Sequence, residues 1–359
     1  MLSLSLPLRR SIAALSKSSS GGGISSVKCL PLKSRLLYFN FSSSNYQRPT
    51  NNETISNDDH ANSFLPHTHS LSNGRLKHRL RQGLPLTGVV TGQYRDTDHV
   101  EMLGLMGYDF LWADCEHSTG TPDHVSNLIV AAERRGIPTL VRIGYGYQNI
   151  IGHIQKYMVA GAQGILLPQC ESRENVERVV EAVKFPPLGL RGLAGERWNA
   201  WGMARRTQQR LSTALSIAEC VEEANRHSVV GVLVETRHGL EALEEILSVE
   251  ELDLVFIAPM DLSSDLGLHG LIRHPQVLRL VEDTVNRIHR YNQEMRIKGK
   301  GWHPVSVGTL AVSTDDYVYW RDRNVNVLCG VAQCMFVEGA KGFMDAVKEY
   351  EDKDDGSGG

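Results

Sequence analysis

Short apolar runs alternate with helix-spaced stretches along most of this chain, and that alternation constrains the fold more than any other feature. The runs are Thr87–Thr91, Phe110–Ala113, Thr139–Ile143, Gly164–Pro168, Val229–Glu235 and Leu252–Ala258, followed by residues 304–307 and 325–329. Between them lie stretches that predict helices, among them His99–Met106, Asp123–Arg135, Ile150–Val159, Arg173–Val183, Ile217–Asn225, Leu240–Leu247, Val277–Tyr291 and Ala340–Tyr350. A strand–helix–strand repeat implies parallel strands joined by crossovers. Several of the runs are apolar throughout, as strands are when both faces are covered. Eight runs in roughly 270 residues predict an α/β fold of the (β/α)8 TIM-barrel type. A doubly wound sheet fits less well. No GxGxxG follows the first run, and Gly144-Tyr-Gly146 does not complete a dinucleotide fingerprint.

The flanks have a different composition. Residues 1–50 hold seven Lys or Arg, many serines and no acid, and Arg9 and Arg10 interrupt the apolar start. This reads as an organelle transit peptide, mitochondrial or plastid, with the cytoplasm as the fallback. Residues 51–78 are polar and read as a disordered linker, the folded domain spans 79–350, and 351–359 form a frayed tail. A net charge of -3 across 359 residues gives no global attraction for nucleic acid. No apolar run reaches 18 residues, so stable membrane insertion is not expected. The six cysteines form no CxxC pair and read as reduced thiols rather than a disulfide or zinc framework.

In a barrel of this type, chemistry sits where the strands end. The second run ends in Asp114, Glu116 and His117, the third in Arg142, the fifth in Glu235 and Thr236, and the sixth is followed by Pro259, Met260 and Asp261. Glu235 and Asp261 are candidate oxygen ligands for a hard divalent ion. Arg142 could fork onto a carboxylate. His117 could move a proton near neutral pH. Such a set suits making or breaking a bond beside a 2-oxo acid. Each residue also has a plainer reading. Glu235 and Asp261 could be helix caps or surface charges, Arg142 an ion-pair partner of Asp114, and His117 a loop histidine.

Five stretches carry a resemblance across residues 79–350: Asp114-Cys-Glu-His117, Leu140-Val-Arg142, Phe185-Pro-Pro-Leu-Gly-Leu-Arg-Gly192, Val234-Glu-Thr236 and Phe256-Ile-Ala-Pro-Met-Asp-Leu-Ser263. Together they resemble the HpcH/HpaI family of metal-dependent pyruvate aldolases. The resemblance implies a TIM barrel, commonly a hexamer, in which the last helix packs on a neighbour. It implies Mg2+, Mn2+ or Co2+ held by Glu235 and Asp261, with Arg142 on pyruvate, His117 as base and Asp114 beside the arginine. Arg191 matches a loop arginine, here expected to bind substrate with Ala258 and Pro259. The expected substrates are small 2-oxo acids and aldehydes.

Three positions depart from the family pattern. Leu233 replaces a glutamine two residues before the metal glutamate, and i and i+2 in a strand face the same way. Val159 replaces an aspartate that supports the histidine, and Ala258 replaces a glycine. The tryptophans at 198 and 201 mark a long loop expected to shape the aldehyde site. The leading expectation is a carbon–carbon lyase with a shifted substrate range. The alternatives are a barrel that has lost turnover and serves a structural or regulatory role, and a citramalyl-CoA or malyl-CoA type lyase.

Overall fold

The computed structural model describes residues 75–94, 96–144, 150–204, 215–299 and 303–355. The chain divides into two units, Met1–Ser56 and Asn57–Gly359, and everything described belongs to the second. The transit-peptide and linker readings for 1–50 and 51–74 fall outside the described residues.

Eight strands close into a parallel barrel in sequence order: β1 Leu86–Val90, β2 Phe110–Asp114, β3 Thr139–Arg142, β4 Gly164–Leu167, β5 Val229–Val234, β6 Leu254–Ile257, β7 Ser306–Leu310 and β8 Val327–Val331. The alternation of side chains along each strand sorts them into two cores. Ala113, Val141, Ile165, Val232, Val255 and Val307 face outward and pack under the helices. Phe110, Trp112, Leu140, Leu166, Leu233 and Phe256 fill the barrel interior. That interior is packed by pairing large groups with absent ones. A Cβ on Gly88 would lie 2.3 Å from the Phe110 ring, one on Gly308 2.5 Å from the Phe256 ring, and one on Gly231 2.6 Å from Leu166. The barrel is therefore solid along its axis.

The folded part begins earlier than expected. A helix spans Arg75–Arg81, and its Leu76 and Leu80 join the interior core at the N-terminal end of the strands. Lys77, only 3% exposed, lies 3.1 Å from Asp253 and 3.3 Å from Glu251. Arg81 Nε donates to Asp253 at 2.8 Å, and Lys184 lies 3.0 Å from Glu251. Burial pushes the Asp253 carboxyl up, yet Lys77, Arg81 and Lys184 outweigh it and hold it below the usual carboxylate range. A carboxyl lowered in the folded state stabilises above its unfolded value and loses that stabilisation as pH falls through its folded one. The urea midpoint is therefore expected to fall as pH drops below about 4. Lys77→Met is expected to cost about 3 kcal/mol in urea unfolding, the low end for a broken buried pair because Arg81 remains.

Other elements differ in extent. Two short helices, Arg237–Glu241 and Leu243–Leu247, replace the single one expected after β5. Helices Pro259–Asp265 and Thr314–Arg321 were not anticipated. The helix after β6 extends to Pro275–Lys298, and the last runs Ala332–Asp355, so residues 351–355 are helical rather than frayed. The five described cysteines are free. No helix among the described residues is long and apolar enough to cross a membrane.

Candidate active site at the C-terminal rim

Parallel pairing of β2 with β3 sets Asp114 directly beside Arg142. The Arg142 guanidinium donates to both Asp114 oxygens, Nε at 2.8 Å and Nη2 at 2.7 Å. Its Nη1 lies 3.0 Å from Glu116 Oε2, and its carbon stands 5.4 Å from the centre of the Trp112 ring. The fork is thus fixed by two acids and supported by an aromatic face. Burial pushes the Asp114 carboxyl up, but the Arg142 hydrogen bond and charge outweigh it and hold the carboxyl low. Asp114 Oδ1 also accepts from the Glu116 backbone N–H at 3.0 Å, which fixes the turn that carries Glu116 and His117.

Glu235 follows β5 and is 1% exposed. Its Oε1 accepts from the Gln169 backbone N–H at 2.7 Å, while Oε2 is buried with no hydrogen-bond partner among the described residues. Gln169, just past β4, takes φ 49°, a left-handed conformation uncommon for a side chain of this kind. Burial pushes the Glu235 carboxyl up to about 8, with Asp261 and Glu116 adding and the Gln169 N–H opposing. A buried carboxylate with an orphaned oxygen is costly unless a cation or proton meets it.

Asp261 lies in the first turn of the helix Pro259–Asp265, which opens directly after β6. Its side chain is 40% exposed, and its Oδ2 lies 4.0 Å from His117 Nε2, which is itself 3.8 Å from Glu116 Oε2. Ala258 and Pro259 are buried at the same rim. The rim therefore unites Asp114, Glu116, His117, Arg142, Glu235 and Asp261. Four carboxylates against one guanidinium make a site whose charge favours a cation. Among the described residues no three His, Cys, Asp or Glu side chains close into a ligand cage. Glu235 and Asp261 offer a pair of oxygen donors, which fits a hard ion that completes its shell with water or substrate.

One expectation is corrected. Arg191 does not join the rim. It is 4% exposed, donates to Met158 O near the C-terminus of helix Ile150–Ala160, and stacks between Phe185 and Trp198. Helices in this barrel run back from the rim, so Arg191 lies at the opposite end from Glu235. Val159, one residue from the end of the same helix, is also far from His117 in this chain. Trp198 is buried beside Arg191, while Trp201 is 61% exposed. Leu233 does face the way Glu235 faces, but it lies fully buried in the interior core beneath the rim.

Two contributors had no assigned role: Glu116 and the Gln169 N–H. Parity could have found the first, because residues 112, 114 and 116 share one face if the strand is continued. No sequence signal marks the second.

Residues 94–298 match the family described as HpcH/HpaI aldolase/citrate lyase. A hydroxypyruvate/pyruvate aldolase of Roseovarius nubinhibens is 30% identical over 74% of this chain and 93% of its own. A 4-hydroxy-2-oxo-heptane-1,7-dioate aldolase of Klebsiella pneumoniae is 30% identical over 60% of this chain and 76% of its own. The crystal structure of an HpcH/HpaI aldolase from Desulfitobacterium hafniense superimposes with a TM-score of 0.66 at 25% identity, covering 76% of this chain and 96% of that one.

Proposed function

Because the chain belongs to the HpcH/HpaI aldolase/citrate lyase family, we propose that it cleaves and forms 4-hydroxy-2-oxo acids, exchanging them with pyruvate and an aldehyde, with the help of a divalent metal ion. It is an enzyme of the aldolase type. The observation that carries the finer reading is the orphaned Glu235 oxygen within a rim of four carboxylates and one arginine.

Glu235 and Asp261 would hold Mg2+, Mn2+ or Co2+. When bound, the ion supplies Lewis acidity at the 2-oxo group of the substrate. Arg142 donates N–H groups not engaged by Asp114 to the substrate carboxylate, and the two acids around it fix their direction. Half-exposed at the rim, His117 takes the proton of the 4-hydroxyl as the C3–C4 bond breaks. No rim lysine among these groups calls for a Schiff base. Leu233 supplies no amide to the substrate, which supports a substrate range shifted from that of relatives carrying glutamine there.

The helix Ala332–Asp355 exposes Phe336, Phe343 and Tyr350 at 63%, 69% and 66%, which supports a homo-oligomer that covers them. The basic, acid-free residues 1–50 support delivery to a mitochondrion or plastid. The deciding assay is pyruvate release from 4-hydroxy-2-oxoheptanedioate with Mn2+ or with EDTA. Release that requires the metal supports the reading; no release from this or related 4-hydroxy-2-oxo acids, with metal bound, rejects it.

A further inference from the structure

At the N-terminal end of the barrel, outside the interior core, Arg191 is a buried cation with no counter-charge among the described residues. Its Nε has no hydrogen-bond partner, and one bond, from Nη2 to Met158 O at 3.1 Å, is the hydrogen bond its guanidinium makes among the described residues. The Phe185 and Trp198 rings flank it at 4.4 Å and 5.3 Å. Their faces attract the cation but do not neutralise it. No described carboxylate pairs with it, and burial alone lowers its pKa to about 9. Residues 205–214, next along the chain from Ala204, contain three arginines and no acid.

A cavity of about 30 Å³ opens beside this guanidinium, lined also by Met158, Gln163, Trp198, His227 and Ser228. The polar walls are already engaged. Gln163 accepts from Thr139 N and donates to Gly161 O, Ser228 Oγ donates to Ala224 O, and His227 pairs with Glu223 at 2.9 Å. Arg191 Nε–H is buried at this cavity without a partner among the described residues. The space suits one or two water-sized occupants, which admits a monatomic ion and is tight for a tetrahedral oxyanion. A water would satisfy the N–H but leave the charge uncompensated, and an unpaired buried charge costs several kcal/mol.

We propose that this cavity is a binding site for a single halide ion, chloride in ordinary solution, held by Arg191 Nε–H. The site is structural and stands apart from the catalytic rim. Its test melts the full-length protein in sodium chloride, sodium bromide and sodium gluconate at one ionic strength. The melting temperature is expected to be about 2–4 °C higher in either halide than in gluconate. That difference should vanish in Arg191→Met. Should Arg191→Met fail to fold, bromide-soaked crystals of the unaltered protein decide. An anomalous peak within hydrogen-bond reach of Arg191 Nε supports the site. A water there, or a carboxylate from another residue or another copy of the chain, overturns it, as does equal melting in all three salts without a peak.

Discussion

Glu235→Gln is expected to lower metal-dependent pyruvate release by at least about a thousand-fold, the scale of losing a key electrostatic contact at a reacting centre. The amide has the shape of the carboxyl and can still accept the Gln169 N–H that now meets Oε1. What it removes is the capacity to carry charge at a position 1% exposed, where the carboxyl is already pushed up to about 8. The variant should therefore fold at least as stably as the parent in EDTA. The parent should gain melting temperature when Mn2+ is added, and the variant should not. A variant that still responds to Mn2+ and still releases pyruvate would remove Glu235 from the ligand set. A variant melting well below the parent in EDTA would make Glu235 a structural group instead.

Arg142→Ala should damage two properties at once. It leaves Asp114, whose side chain is 4% exposed, buried without the fork that now binds both oxygens. Breaking a buried pair in this way costs about 3–5 kcal/mol, to be read from urea unfolding. Turnover should fall by roughly a hundred- to a thousand-fold as the substrate carboxylate loses its donors. Arg142→Lys separates the two effects. An ammonium restores charge near Asp114 but not the planar fork. The lysine variant should regain part of the stability and little of kcat/KM. Full recovery of turnover in Arg142→Lys would mean that charge, not geometry, is what the site requires.

The barrel was legible because its strands are covered on both faces, so runs such as Val229–Val234 stand out without any alternation. Helix Arg173–Val183 was legible to the residue, since Ser172 caps it and valines repeat along one face. The helix Arg75–Arg81 was hidden by its own charges. Its Leu76 and Leu80 are surrounded by basic residues, and nothing local shows that Lys77 is buried against acids more than 170 residues away. Asp114, His117, Arg142, Glu235 and Asp261 were legible as strand-end residues, and the structure gathers them. Arg191 was misplaced because the motif match outweighed the order of elements: it follows helix Arg173–Val183, and loops after helices lie at the end of the barrel away from the rim. The Gln169 N–H was invisible, since a backbone donor carries no residue type.

The interlock of Gly88 with Phe110 and of Gly308 with Phe256 has a kinetic meaning. With the axis stoppered, nothing can pass from the rim through to the other end. Substrate and both products share one doorway. In the proposed reaction pyruvate is gripped at the bottom of the mouth by Arg142, and the aldehyde fragment lies between it and solvent. Departure is then queued: aldehyde first, pyruvate last. Product-inhibition kinetics should show pyruvate competing directly with the cleaved substrate and the aldehyde inhibiting in a mixed pattern.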